Sequence, residues 1–154
     1  MCIRDRDSAV RFTYLPVLRA LLALNPGPQK QGEPAKAIER LQAAAPYELG
    51  VPLSWFAGLC GVLYPVYVRG EAYLAAHQGV EAAAEFQKIL DHRGIVASDP
   101  IGALAHWRLG RAYAMQGETA KAKGAYQDFL ALWKDADPDI PILKQAKAEY
   151  AKLQ

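Results

Sequence analysis

Leu109-Gly110-Arg111-Ala112-Tyr113, followed by Ala122 and Tyr126, restates a stretch 40 residues upstream: Arg69-Gly70-Glu71-Ala72-Tyr73, followed by Ala82 and Phe86. Four matched positions at one offset mark an internal repeat. Each unit is expected to be two helices joined by a tight turn. Gly70 and Gly110 fall inside the first helix, where glycine costs about 1 kcal/mol relative to alanine. That cost is offset if a second helix passes too close for a side chain. Ala82 and Ala122 are the expected counterparts across the contact, with Tyr73, Tyr113, Phe86 and Tyr126 filling the space above and below.

Boundaries follow from local signals. Asp99-Pro100 reads as an N-cap with proline in the first turn. The helix it opens should run to about Gln116 and stop at Gly117. Glu118-Thr119 opens the next, which ends near Trp133. In the earlier unit a helix is expected from Tyr64 to His77, a turn at Gly79, and a partner helix to His92. Arg93 to Ser98 is expected as a linker. Upstream, Leu15–Leu24 and Gly32–Leu41 resemble one more, degenerate pair over about 15–45, because Ala37 and Leu41 keep the alanine-to-large spacing. Tyr47 to Leu59 is expected as a loop. Downstream, Ile142, Leu143, Ala146, Tyr150 and Leu153 recur at helical spacing, with Lys144, Lys147, Glu149 and Lys152 mostly on the other side. That is the pattern of a terminal helix over about 139–154 that hides the last apolar surface of an array.

Composition agrees with an all-α fold. The chain holds 28 alanines but three serines, two threonines and one asparagine, so it is rich in helix formers and poor in the hydroxyls that hydrolases and transferases use. With 18 basic and 16 acidic residues the net charge is +2, which carries no strong case for nucleic acid or a membrane surface. The longest apolar run, Val51 to Val68, is broken by Pro52, Gly58, Gly61 and Pro65, so membrane insertion is not expected. The expected compartment is the cytoplasm, with a membrane-anchored parent protein as the alternative. Cys2 and Cys60 stand in no metal or disulfide spacing, and Cys60 is expected in the core. Met1-Cys2-Ile3-Arg4-Asp5-Arg6-Asp7 is similar to the translated adapter that begins many assembled reading frames. On that likeness residues 1–7 are expected to be non-native, leaving 8–154 as the helical domain of a longer protein.

Gly-x-x-Tyr, then alanine, then an aromatic four residues on, resembles the tetratricopeptide repeat (TPR). The resemblance spans about Leu15 to Leu132 and is carried by repeats at about 64–92 and 100–133. It departs at Arg69, where leucine is usual, and at Trp107, one residue later than the pattern wants, with His106 in its place. The wider text from Tyr64 to Asp139 also resembles the C-terminal tail of large acidobacterial serine/threonine protein kinases and of winged-helix regulators. The chain has no glycine-rich phosphate loop, His-Arg-Asp loop or Asp-Phe-Gly. The resemblance implies a short TPR-like α-solenoid of antiparallel hairpins closed by a C-terminal helix. It implies a non-catalytic scaffold that binds protein or peptide, within a bacterial signalling or regulatory protein. A kinase regulatory tail, a spacer without ligand, and self-association remain alternatives.

No constellation for chemistry emerges, and neither a cofactor nor a metal is expected. His77, His92 and His106 share no ligand spacing and are expected at helix ends or in packing. Asp91-His92-Arg93 fits a helix C-terminus. Ser8, Ser54 and Ser98 lack a nucleophile context. Glu81 and Glu85 are expected as two exposed carboxylates on one helix face. Gly58, Gly61 and Gly70 are not followed by Gly-Lys-Ser/Thr. Arg108 and Arg111 flank Trp107, but Glu71 and Glu118 are expected to dilute their charge, so nucleic acid is not an expected partner.

Function in a solenoid lies on the concave face, lined by the first helix of each pair. Here that face is expected to carry Tyr64, Tyr67, Glu71 and Leu74 on one helix and Leu104, Trp107, Arg111 and Met115 on the next. Aromatics, Arg and Met favour an interaction surface. The alternative is that the chain itself covers Tyr67 and Trp107. A TPR carboxylate clamp uses lysine and asparagine where Tyr67, Glu71, Trp107 and Arg111 stand, so binding of a C-terminal carboxylate is not implied. An apolar helix or extended segment suits these residues better.

Overall fold

The computed structural model describes residues 10–28, 30–50 and 63–153. Residues 1–7, Ser8, Ser54, Cys60 and most of the expected loop 47–59 lie outside that range. Every regular element among the described residues is helical. A π-helical turn (Val10–Tyr14) leads into α1 (Leu15–Leu24), and α2 (Pro34–Leu41) runs on into a 3-10 stretch (Gln42–Tyr47). Then α3 (Tyr64–Ala75) pairs with α4 (Gly79–Asp91), and α6 (Ile101–Met115) with α7 (Thr119–Leu132). Between the pairs stands a one-turn helix, α5 (Arg93–Val96), where a plain linker was expected. The last helix is α8 (Pro141–Ala151).

Local chemistry accounts for these ends. Proline occupies the first turn of α1, α2, α3 and α8, where its missing N–H costs nothing. Asp99 Oδ1 accepts the backbone N–H of Ile101 at 3.1 Å and so caps α6. The two hairpin turns are the same structure 40 residues apart. Gln78 N–H bonds the Tyr73 carbonyl and His77 N–H that of Leu74; Glu118 N–H bonds Tyr113 and Gly117 N–H bonds Ala114. This is the Schellman termination, and it requires a left-handed residue. Gly117 takes that place at φ 76°, and His77 takes it at φ 58°. The earlier turn therefore rests on His77 and not on the expected Gly79. Gly79 opens α4, where a Cβ would come within 3.0 Å of the Ala112 carbonyl oxygen of α6.

Helices pack in chain order. α1 lies on α2, α3 on α4 and α6 on α7, while α2 meets α3, α4 meets α6 and α7 meets α8. First helices also touch: α1 with α3, and α3 with α6. The core forms three successive clusters. Val17, Ala20, Ala37, Leu41, Val68 and Ala72 join the first pair to α3. Val66, Phe86, Ile89, Ala105 and Leu109 join the middle pair to α6. Trp107, Tyr126, Phe129, Leu143 and Ala146 join the last pair to α8. Full burial of Phe86 or Phe129 stabilises by about 2–3 kcal/mol each.

The glycines do permit a close approach, but aromatic rings lie across them, not alanines. A Cβ on Gly70 would stand 2.6 Å from Cζ and 2.7 Å from Cε1 of Phe86, and one on Gly110 would stand 2.9 Å from Cδ2 and Cε2 of Tyr126. The flat face of a ring covers a bare backbone better than a methyl group does, because it makes more contacts at the same separation. Ala82 and Ala122 are fully buried one turn before those rings.

Arg69 departs from the repeat pattern for a visible reason. It is buried, and its guanidinium pairs with Glu48 Oε1 and, at 2.6 Å, with Glu85 Oε2. Glu48, also buried, accepts Lys88 Nζ at 2.6 Å. Two cations and two carboxylates thus neutralise one another and bind the segment after the 3-10 stretch onto α3 and α4. Burial alone raises the Glu48 carboxyl, but the hydrogen bonds from Arg69 and Lys88 outweigh it and hold the group below its ordinary range. Removing one member of such a set typically costs about 3–5 kcal/mol. Glu85 is therefore a structural partner and not the exposed carboxylate expected beside Glu81.

Candidate functional site

Tyr64, Tyr67, Glu71 and Leu74 lie along α3 and Leu104, Trp107, Arg111 and Met115 along α6, at the spacing expected. They do not form one open groove. Trp107 is 2% exposed, so the partner-groove assignment fails at its centre. It packs with Phe129, Leu143 and Ala146, and its Nε1–H donates to Glu149 Oε2 at 2.9 Å. The chain's own α8 covers it. Leu104 packs at the edge of the same cluster, and Leu74 against the middle one, so both are partly core.

The polar groups around Trp107 form one connected set. Arg108 stacks over the indole with its guanidinium carbon 4.0 Å from the ring centroid, and pairs with the Glu71 carboxylate. That contact is a close ion pair without aligned hydrogen-bond geometry at Glu71 Oε1. Arg108 Nε–H also points to the Tyr67 hydroxyl at 3.4 Å. Arg111 stands 5.6 Å from the indole centroid and 3.5 Å from Glu149 Oε1. Tyr126 O–H donates to Glu149 Oε2 at 3.0 Å. Burial and the Glu149 charge push the Tyr126 phenol well above its usual range. Burial and the Glu71 charge raise that of Tyr67. Burial also raises the Glu71 carboxyl, in spite of Arg108 and Arg111. Both arginines are thus balanced by carboxylates, Glu71 as expected and Glu149 instead of Glu118. Glu118 pairs with Lys121 at 3.5 Å.

Arg108 and Glu149 were not among the expected groove residues. The sequence pattern places Glu149 on the wet face of α8, yet it points inward. The signal was present: Glu149 follows Ile142 by seven residues, which returns it to the apolar side. What remains exposed of the expected face is smaller. Tyr64 is 37% exposed, Met115 41% and the Arg111 side chain 38%. Tyr64 O–H reaches Asp99 Oδ1 at 3.5 Å.

The histidines take packing and helix-end roles. His77 makes the α3–α4 turn. His92 Nδ1 lies 2.7 Å from the Lys88 carbonyl oxygen at the end of α4. His106 is buried, its Nδ1 lacks a hydrogen-bond partner, and Asp128 Oδ2 is 3.6 Å away. Burial lowers its pKa below 6.5 against the pull of Asp128. Among the described residues no three His, Cys, Asp or Glu are arranged to hold a metal ion. No described helix is long and apolar enough to cross a membrane.

No protein-family model, curated protein or solved structure matches the chain.

Proposed function

We propose that this chain is a TPR-like, non-catalytic protein-interaction module. One observation carries the proposal: the two central hairpins repeat, position for position, the same Schellman turn and the same glycine beneath an aromatic ring. Repetition of a packing unit, without repetition of a reactive group, is how an array builds surface. The exposed apolar side chains of Tyr64 and Met115 suit an apolar peptide segment, while Trp107 serves the core and Arg111 is paired with Glu149.

Selection of a displayed peptide library on the immobilised chain tests this. Enriched peptides should bind with Kd of about 100 μM or tighter and lose about tenfold in Tyr64→Ala with Met115→Ala. Circular dichroism should show unchanged helicity in that variant. Enrichment of nothing above background identifies a spacer and overturns the proposal.

A further inference from the structure

The first helix carries an exposed apolar face that no other described helix packs against. α1 buries Pro16, Val17, Ala20 and Ala23 against α2 and α3. On its opposite face Leu15, Leu18 and Leu22 stand 38%, 56% and 68% exposed. Their spacing, i, i+3 and i+7, is that of a seam between two helices. Position in the array agrees. α3 lies between α2 and α4, and α6 between α4 and α7, whereas α1 packs on α2, α3 and the π-helical turn that leads into it.

The edge of the seam is cationic. Arg19 stands on the same face, within one turn of all three leucines. With Arg11, Lys36 and Arg40 it lines a cleft between α1 and α2 whose one carboxylate is Glu39. Arg40 Nη1 is anchored on α1 by a 2.8 Å hydrogen bond to the Arg19 carbonyl. Lys36 is paired with Glu33 at 3.2 Å, which leaves the arginines to set the field. A second copy of this face would oppose cation to cation. Tyr14 and Leu21, 40% and 38% exposed, widen the seam on the side away from Arg19. The face is still only about three turns long and the other side of α1 is core, a footprint that fits one partner helix better than a bilayer.

We propose that the Leu15–Leu18–Leu22 face of α1, with Arg11, Arg19 and Arg40 at its edge, docks an amphipathic helix of a partner protein. That helix carries apolar residues at i, i+3 and i+7 and Asp or Glu along the flank facing α1–α2. The seam supplies apolar burial, and the arginines select partner and orientation. This rests on the interaction-module proposal and assigns it a second, separate surface.

The probes are three fluorescein-labelled helical peptides of about four turns, each with one leucine seam and a flank of Glu, Gln or Lys. Fluorescence anisotropy is read against the full chain at about 50 and 500 mM salt. The Glu peptide should bind about tenfold tighter than the Lys peptide at low salt, and the gap should close at high salt. Leu18→Ser with Leu22→Ser should weaken every peptide about tenfold, and Arg19→Glu should reverse the order of the Glu and Lys peptides. These residues are exposed, and circular dichroism checks that each variant is folded. Equal binding of the three peptides, or binding indifferent to Leu18 and Leu22, overturns the proposal. So does a dimer in sedimentation that Leu18→Ser dissolves, or cosedimentation with phosphatidylserine-containing vesicles that Leu18→Ser abolishes. If library peptides bind through Tyr64 and Met115 while no seam peptide binds, this proposal alone falls; if neither kind binds, both fall.

Discussion

Replacing Glu149 by alanine removes the acceptor on which the last helix is hung. Glu149 Oε2 takes two hydrogen bonds, from Trp107 Nε1–H at 2.9 Å and Tyr126 O–H at 3.0 Å, and both donors belong to residues 2% exposed. A buried donor left without a partner costs about 1–3 kcal/mol. The Glu149 side chain is itself 20% exposed, so water relieves part of that cost and the lower half of the range applies to each donor. The expected loss for Glu149→Ala is about 2–4 kcal/mol. Glu149→Gln keeps one carbonyl oxygen for the two donors but loses the charge facing Arg111 and the acceptor of the exposed Gln145 Nε2–H bond, for about 1–2 kcal/mol. Urea unfolding followed by circular dichroism gives both values. Hydrogen exchange should show the α8 amides losing protection in the alanine variant before those of α6 and α7. Glu149→Ala within about 0.5 kcal/mol of the parent chain, or glutamine no better than alanine, refutes the inward-facing carboxylate.

Two further outcomes are expected. Gly70→Ala should destabilise by about 1–3 kcal/mol, because a Cβ at 2.6 Å from the buried Phe86 ring outweighs the gain in helix propensity. Gly124→Ala, with nothing within 4 Å of its Cβ in the middle of α7, should stabilise by about 0.5–1 kcal/mol; thermal melts shifted in the same direction for both would contradict the ring-over-glycine contact. The pH response follows from His106. Burial lowers its folded pKa from 6.5, so the unfolded chain binds the proton more readily and stability falls as pH drops below 6.5. Denaturant midpoints between pH 7.5 and 5.5 should fall with acid in the parent chain and fall less in His106→Gln, and equal slopes would count against a neutral, buried imidazole.

Much of the fold was legible because helices announce themselves locally. Spacing of apolar residues, prolines in first turns, Asp99 before α6 and Gly117 after it act within a few residues, and α3, α4, α6 and α7 lie within two residues of where those signals put them. The one-turn α5 gave no such signal. The 40-residue repeat carried the pairing, since equal segments pack in equal ways. What stayed hidden were contacts that periodicity does not encode. Arg69 meets Glu48 from 21 residues away, Trp107 meets Glu149 from 42, and nothing in either neighbourhood names the other. The left-handed turn fell to His77 because the hydrogen-bond pattern of the turn, and not the nearest glycine, dictates which residue takes positive φ.

By itself the sequence determined an all-helical chain of repeated pairs with an amphipathic last helix, because backbone hydrogen bonding and side-chain periodicity are short-range. Only the tertiary structure decided which faces stay open. A helix presents the same stripe of residues whether a partner covers it or not, so Trp107 became core when α8 lay down on it, while Leu18 and Leu22, no less apolar, were left facing water.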